Sequence, residues 1–129
     1  MATTSTFAIT GVDFVYVPVK DFDKAAEFYG DVLGLVNSVR YDRAPGGEFE
    51  TGNLTLQVVE AAAIGQEFHP GRNPIALHVD DVEAAQRELE SHGIKFAADT
   101  MDTGVCHMAF FADPDGNALM LHHRYAPRN

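Results

Sequence analysis

Hydrophobic and polar positions along the chain change period in a fixed order. Val12-Asp13-Phe14-Val15-Tyr16-Val17-Pro18-Val19 carries β-branched and aromatic residues at two-residue spacing, which predicts a strand over 12–19. At Asp21 the spacing lengthens. Phe22, Ala25, Ala26, Phe28, Tyr29, Val32 and Leu33 recur every three or four residues, the apolar stripe of an amphipathic helix. Asp21 stands where a side-chain oxygen can accept from the first turn, and Gly34 where a left-handed residue ends the helix. Three shorter strand-like runs follow at 36–41, 48–51 and 54–60, with Gly46-Gly47 read as a turn.

The same grammar restarts sixty residues on. Asn73-Pro74-Ile75-Ala76-Leu77-His78-Val79-Asp80 reads as a strand, Asp81 takes the capping position of Asp21, and Val82, Ala85 and Leu89 form the second stripe. His92-Gly93-Ile94 answers Leu33-Gly34-Leu35, and strand runs follow at 95–98, 105–111 and 118–123. Asp113-Pro114-Asp115-Gly116-Asn117 supplies a turn from residues that hydrogen-bond their own backbone and accept positive φ. Each half therefore reads as βαβββ. The expected layout is a tail at 1–8, a first module at 9–60, a connector at 61–72 containing Gly65, Pro70 and Gly71, a second module at 73–124 and a tail at 125–129. One helix covers one face of each sheet, so the other face needs a partner, and two such halves can supply it to each other. The predicted class is α+β, with paired βαβββ modules forming a curved eight-stranded cleft, helices outside and alternate strand residues inward. A ferredoxin-like domain also repeats βα units, but its βαβ repeat lacks the extra strand.

Composition narrows the setting. With 129 residues, 46% apolar, the chain can bury one core but not two. Its charged and aromatic fractions, 22% and 10%, exclude a disordered chain. A formal charge of −10 excludes a nucleic-acid partner and disfavours acidic membranes; solubility is its simplest role, and attraction of cationic ligands is compatible with it. No apolar run approaches the ~20 residues that span a bilayer. The opening residues 1–6 lack the basic and apolar stretches of a signal peptide, so the cytoplasm is the expected compartment. Cys106 is the sole cysteine, which excludes an internal disulfide and a cysteine-rich zinc site.

The paired modules, the Val19-Lys20-Asp21 and Val79-Asp80-Asp81 runs into the helices, Phe28-Tyr29-x3-Leu33-Gly34-Leu35 and Phe110-Phe111-Ala112-Asp113-Pro114-Asp115-Gly116-Asn117 together resemble the vicinal oxygen chelate superfamily. That superfamily includes glyoxalase I, extradiol dioxygenases, fosfomycin-resistance enzymes and bleomycin-binding proteins. The resemblance implies the glyoxalase/bleomycin resistance fold. In metal-using members it also implies a divalent ion in the cleft, held by His or Glu from the first and last strands of each half. The implied first-strand positions, seven residues before the capping Asp, are Phe14 and Pro74. The implied last-strand positions are Thr55 in Leu54-Thr55-Leu56 and Met120 in Leu119-Met120-Leu121. None is a conventional hard-cation ligand, so no metal and no other cofactor is expected. What fits is the metal-free branch, whose members sequester small molecules, often antibiotics, in clefts across a homodimer.

Strand alternation turns Val15, Val17 and Val19 toward the first helix and Phe14 and Tyr16 toward the cleft. By the same parity Ala76, His78, Thr55, Gln57, Met120 and His122 face inward, and His123 the other way. Aromatic faces, a polarizable Met and a few polar groups suit a small organic ligand, aromatic or hydrophobic, such as an antibiotic. Glu48 and Glu50 read as solvated residues of an edge-like strand, and the inward face of 105–111 is open because both alternate sets are apolar. Catalytic residues are unassigned. Two enzyme readings stand beside binding: a lyase, isomerase or dioxygenase with a non-standard metal site drawn from His78, His122, Gln57 and His107, and metal-free acid/base chemistry with His78 or His122 as base.

Overall fold

A computed structural model describes residues 6–128; the residues before them, on which the targeting reading partly rests, and the last residue of the C-terminal tail lie outside that range. Along the chain run β1 (Phe14–Val19), α1 (Phe22–Ala26) continued by π-helical turns (Glu27–Val32), β2 (Val36–Arg40), β3 (Gly46–Glu50) and β4 (Thr55–Glu60). After a 3₁₀ turn (Ala61–Ile64) come β5 (Ile75–His78), α2 (Val82–Ser91), β6 (Met101–Asp102), β7 (Cys106–Ala112) and β8 (Ala118–Arg124). The strands form two four-stranded mixed sheets, ordered β1-β4-β3-β2 and β5-β8-β7-β6. In each, the first and last strands of the half pair in parallel, as a helical crossover requires, and the remaining pairs are antiparallel. Among the described residues no helix is long and apolar enough to cross a membrane.

Both helices start and stop as their end residues dictate. Asp21 Oδ1 accepts from the Lys24 amide at 3.2 Å and Asp81 Oδ1 from the Ala84 amide at 3.0 Å, each satisfying a donor that a helix start otherwise leaves unpaired. The chain leaves the first helix through Gly34 at φ +75°. The apolar stripe Phe22, Ala25, Phe28 and Tyr29 is buried together with Val17, Val19, Phe49, Leu56 and Val58 of the first sheet. That core is continuous with Ala109, Phe111, Leu119 and Leu121 of the second sheet and with Val82 and Leu89 of α2. Each buried Phe, Leu or Val there contributes about 1.5–3 kcal/mol. The two halves therefore share one core through their helix-side faces, with Phe28 and Phe111 in ring contact at 6.5 Å between centroids.

A polar junction locks this arrangement. Tyr29, fully buried, donates its hydroxyl to Asp113 Oδ2 at 2.7 Å. Asp113, itself buried, also accepts from the Asp115 amide and from the Asn117 amide and side chain. Asn117 Nδ2 reaches the Pro18 carbonyl at 2.7 Å, and Asp115 Oδ2 accepts from the Lys20 amide at 2.8 Å. The β7–β8 turn of the second half is thus tied to the first strand and helix of the first half. Burial, then the Asp113 charge, pushes the Tyr29 phenol far above its ordinary range.

Two local expectations give way. Gly46-Gly47 is not a turn but the buried start of β3; the turn occupies residues 42–45. A Cβ on Gly47 would stand 2.5 Å from the Val39 carbonyl, and one on Gly46 2.9 Å from that of Val58, so these glycines permit close strand approach. The strand expected at 95–98 is replaced by the two-residue β6 at Met101–Asp102. The 95–98 backbone is engaged elsewhere, the Ala97 amide donating to the Phe110 carbonyl and the Ala98 carbonyl accepting from Gln86.

Candidate functional site

The sheet faces turned away from the helices carry most of the candidate residues. In the first sheet the register aligns Phe14, Thr55 and Glu50 in one row and Tyr16, Gln57 and Glu48 in the next. Glu48 and Glu50 are therefore not on an edge: β3 lies inside the sheet, both side chains are half-buried, and both are held by hydrogen bonds. Glu50 accepts from Thr55 Oγ1 at 2.6 Å and Ser38 Oγ at 2.5 Å, and those two hydroxyls, Ser38 first, lower its carboxyl pKa. Glu48 accepts from the Tyr41 hydroxyl at 2.6 Å, which in turn accepts from Gln57 Nε2 at 3.2 Å. Burial, reinforced by Glu48, raises the Tyr41 phenol. Phe14 stays 51% exposed, whereas the Tyr16 hydroxyl is enclosed with no hydrogen-bond partner among the described residues, and burial raises its pKa. The buried Phe49 between two half-buried glutamates is the sequence signal that would have turned Glu48 and Glu50 to this face.

The second sheet aligns Ala76, Met120 and Phe110 in one row and places His122 across from both His78 and Met108 in the next. This settles the 105–111 strand: Ala109 and Phe111 are buried on the helix side, and Met108 and Phe110 stand on the other. The sixty-residue repeat makes Ala76 the counterpart of Tyr16, whose partner across the ladder is Gln57. The first-half counterpart of Met120 is consequently Gln57 and not Thr55, a two-residue correction that the Leu-x-Leu spacing could not reveal.

His78 keeps its place in the His122 row but turns its ring toward Asp80 and His123. It ends the short edge strand β5, its Nε2 lies 3.3 Å from Asp80 Oδ1, and its ring sits 5.5 Å from that of His123, which belongs to the helix side of β8. His107, across the ladder from His123, lies 3.4 Å from Asp102 and stacks near Tyr125. His78, His122, Gln57 and His107 are thus not gathered into one constellation.

Among the cavities that open beside the helices, two bear on the candidate residues. A groove of about 720 Å³ between the halves is lined by Leu33, Leu35, Leu54, Leu77, Ala85 and their neighbours, including Ala76 and His78. A second, of about 540 Å³ at the start of α2, is lined by Asp80, Asp81, Asp102, His107, His123 and Tyr125 among others. Phe14, Tyr16, Thr55, Gln57, Met120 and His122 line neither; Phe14 is exposed and the other five are half-buried.

Repeated βαβββ halves with this sheet order define the class, and the chain belongs to the Glyoxalase/Bleomycin resistance protein/Dioxygenase superfamily, whose family model matches residues 11–121. It is 29% identical over 117 residues to a protein of Synechocystis sp. described as a probable lactoylglutathione lyase, covering 81% of this chain and 88% of that one. Among solved structures it superposes on SMU.1112c with a TM-score of 0.75 and 29% identity, over 90% of this chain and all of the other. It also matches TnmS3, an antibiotic binding protein from Streptomyces sp. CB03234, with a TM-score of 0.77 at 24% identity, covering 92% and 98% of the two chains. The side chains at the family's metal positions do not fit a divalent ion. Phe14, Pro74 and Met120 offer no hard donor, Thr55 Oγ1 is spent on Glu50, and Gln57 would supply a single neutral amide.

Proposed function

We propose that this chain binds a small organic molecule, aromatic or largely hydrophobic and of the antibiotic type, in a cleft that two copies complete and without a metal at the family's positions. The observation that carries the reading is the exchange of cation donors for Phe14, Pro74 and Met120 on faces that still expose binding chemistry. A half-exposed Phe14 offers a stacking surface, and the Tyr16 hydroxyl, without a partner among the described residues, would pair with a ligand oxygen or nitrogen on turning outward. Thr55 and Gln57 extend this polar wall. Ala76, Met120 and His122, with Phe110, would form an apolar wall opposite. Likeness to the antibiotic binding protein from Streptomyces supports the ligand class at the level of fold. Because the single chain leaves both walls uncovered, a second copy that sets one wall against the other completes the site.

The test pairs calorimetric titration of aromatic natural products with sedimentation analysis. Binding by a species of twice the 14.1 kDa chain mass is expected. Phe14→Ala should weaken it by about 1–3 kcal/mol with little change in unfolding midpoint. A monomer that binds none of the compounds overturns the proposal. Turnover of a bound compound, abolished in His122→Ala, would replace it with metal-free acid/base catalysis.

A further inference from the structure

The geometry points to a divalent transition-metal site formed by His78, Asp80 and His123, outside the family's metal positions and independent of the proposed binding cleft. One ligand atom from each of the three lies within 4.8 Å of those of the other two. His78 Nε2 already stands 3.3 Å from Asp80 Oδ1, and the two imidazole rings are 5.5 Å apart. Around a shared ion with bonds of about 2.0–2.2 Å, neighbouring donors stand about 3 Å apart, so the three need to draw in modestly. Rotation of the two exposed side chains, His78 at 67% and Asp80 at 99%, supplies that movement without disturbing the core.

An independent observation concerns His123. Its Nδ1 is enclosed and has no hydrogen-bond partner among the described residues, so the fold leaves one end of this imidazole unsatisfied. A cation held through that nitrogen would provide the missing partner. The charged surroundings also favour a cation: Asp80, Asp81, Glu83 and Asp102 border the adjoining cavity, with His107 as its other imidazole. They oppose the positive end of α2, whose first amides Asp81 already caps.

Two imidazoles and one carboxylate are a borderline donor set. It suits Zn²⁺, Ni²⁺, Cu²⁺ or Fe²⁺ better than Mg²⁺ or Ca²⁺, which require mostly oxygen. Three protein ligands leave coordination positions for water or an exogenous donor, which distinguishes such a site from a closed structural one.

The test uses the full chain, stripped with chelator and titrated with Zn²⁺ alone by calorimetry, with Co²⁺ absorption as an independent readout of coordination. One equivalent per chain is expected. His78→Ala, Asp80→Asn and His123→Gln should each weaken Zn²⁺ binding by about tenfold or more and alter the Co²⁺ spectrum, whereas His92→Ala should do neither. Asp80→Asn changes an almost fully exposed side chain, so its result stands even where His123→Gln fails to fold. Unchanged affinity in Asp80→Asn and His78→Ala, or an equal loss in His92→Ala, overturns the site in favour of diffuse binding by surface imidazoles.

Discussion

The two sheets share strand order and helix placement, yet at matched positions their two faces behave oppositely. On the helix side, Val17, Phe49, Leu56 and Val58 of the first half answer Leu77, Phe111, Leu119 and Leu121 of the second, apolar for apolar. On the other side, Tyr16, Gln57 and Glu48 answer Ala76, Met120 and Phe110, a hydroxyl, an amide and a carboxylate against three apolar side chains. Packing density explains the difference. A shared core allows little freedom in volume or polarity, whereas an open face is free to take up whatever chemistry its eventual occupant rewards.

The comparison is broken most severely at the junction that holds the halves in register. Asp113→Ala leaves the Tyr29 hydroxyl, two turn amides and the Asn117 side chain without their acceptor, and should cost about 3–4 kcal/mol in urea unfolding. Next is Gly47→Ala, whose new Cβ meets the Val39 carbonyl backbone. A loss of about 3 kcal/mol is expected, and a neutral result would show that the first sheet tolerates spreading between β2 and β3.

Glu50→Gln should have the smallest effect and the most selective. A carboxyl whose folded pKa lies below its ordinary value of 4.5 contributes stability above that pH and loses it as pH falls through the folded value. The parent should therefore melt at progressively lower temperature on acidification, and Glu50→Gln should flatten that slope. Phe110→Leu, on the matching face of the second sheet, should leave the slope intact; an equal flattening there would contradict the assignment of this acid sensitivity to the first sheet.

Much of the fold was legible because its determinants are local. Asp21 and Asp81 announce their helices, Gly34 ends one, and two-residue alternation turns Val17 and Val19 to the core. What escaped was set by partners distant in sequence. Gly46-Gly47 resembles a turn until Val39 and Val58 are seen pressing against it. Nothing near Tyr29 predicts an acceptor 84 residues away at Asp113. At the candidate cleft, parity placed Phe14, Tyr16, Thr55 and Gln57 on one face, since parity is a property of the strand itself. It gave the row of His78, beside His122, but not the direction of its ring, because a long side chain at the end of an edge strand is free to turn toward Asp80 and His123.

The Tyr29 junction has a spectroscopic consequence. The chain has no tryptophan and four tyrosines, so the phenolate absorbance that appears in alkali belongs to Tyr16, Tyr29, Tyr41 and Tyr125. A phenol held above its ordinary value keeps its proton while the fold lasts. The stability drawn from it is full below about pH 10 and drains as alkali rises past that point. In an alkaline titration the Tyr29 phenolate should consequently emerge only as the two halves part, which makes the protein's own absorbance a marker of their separation.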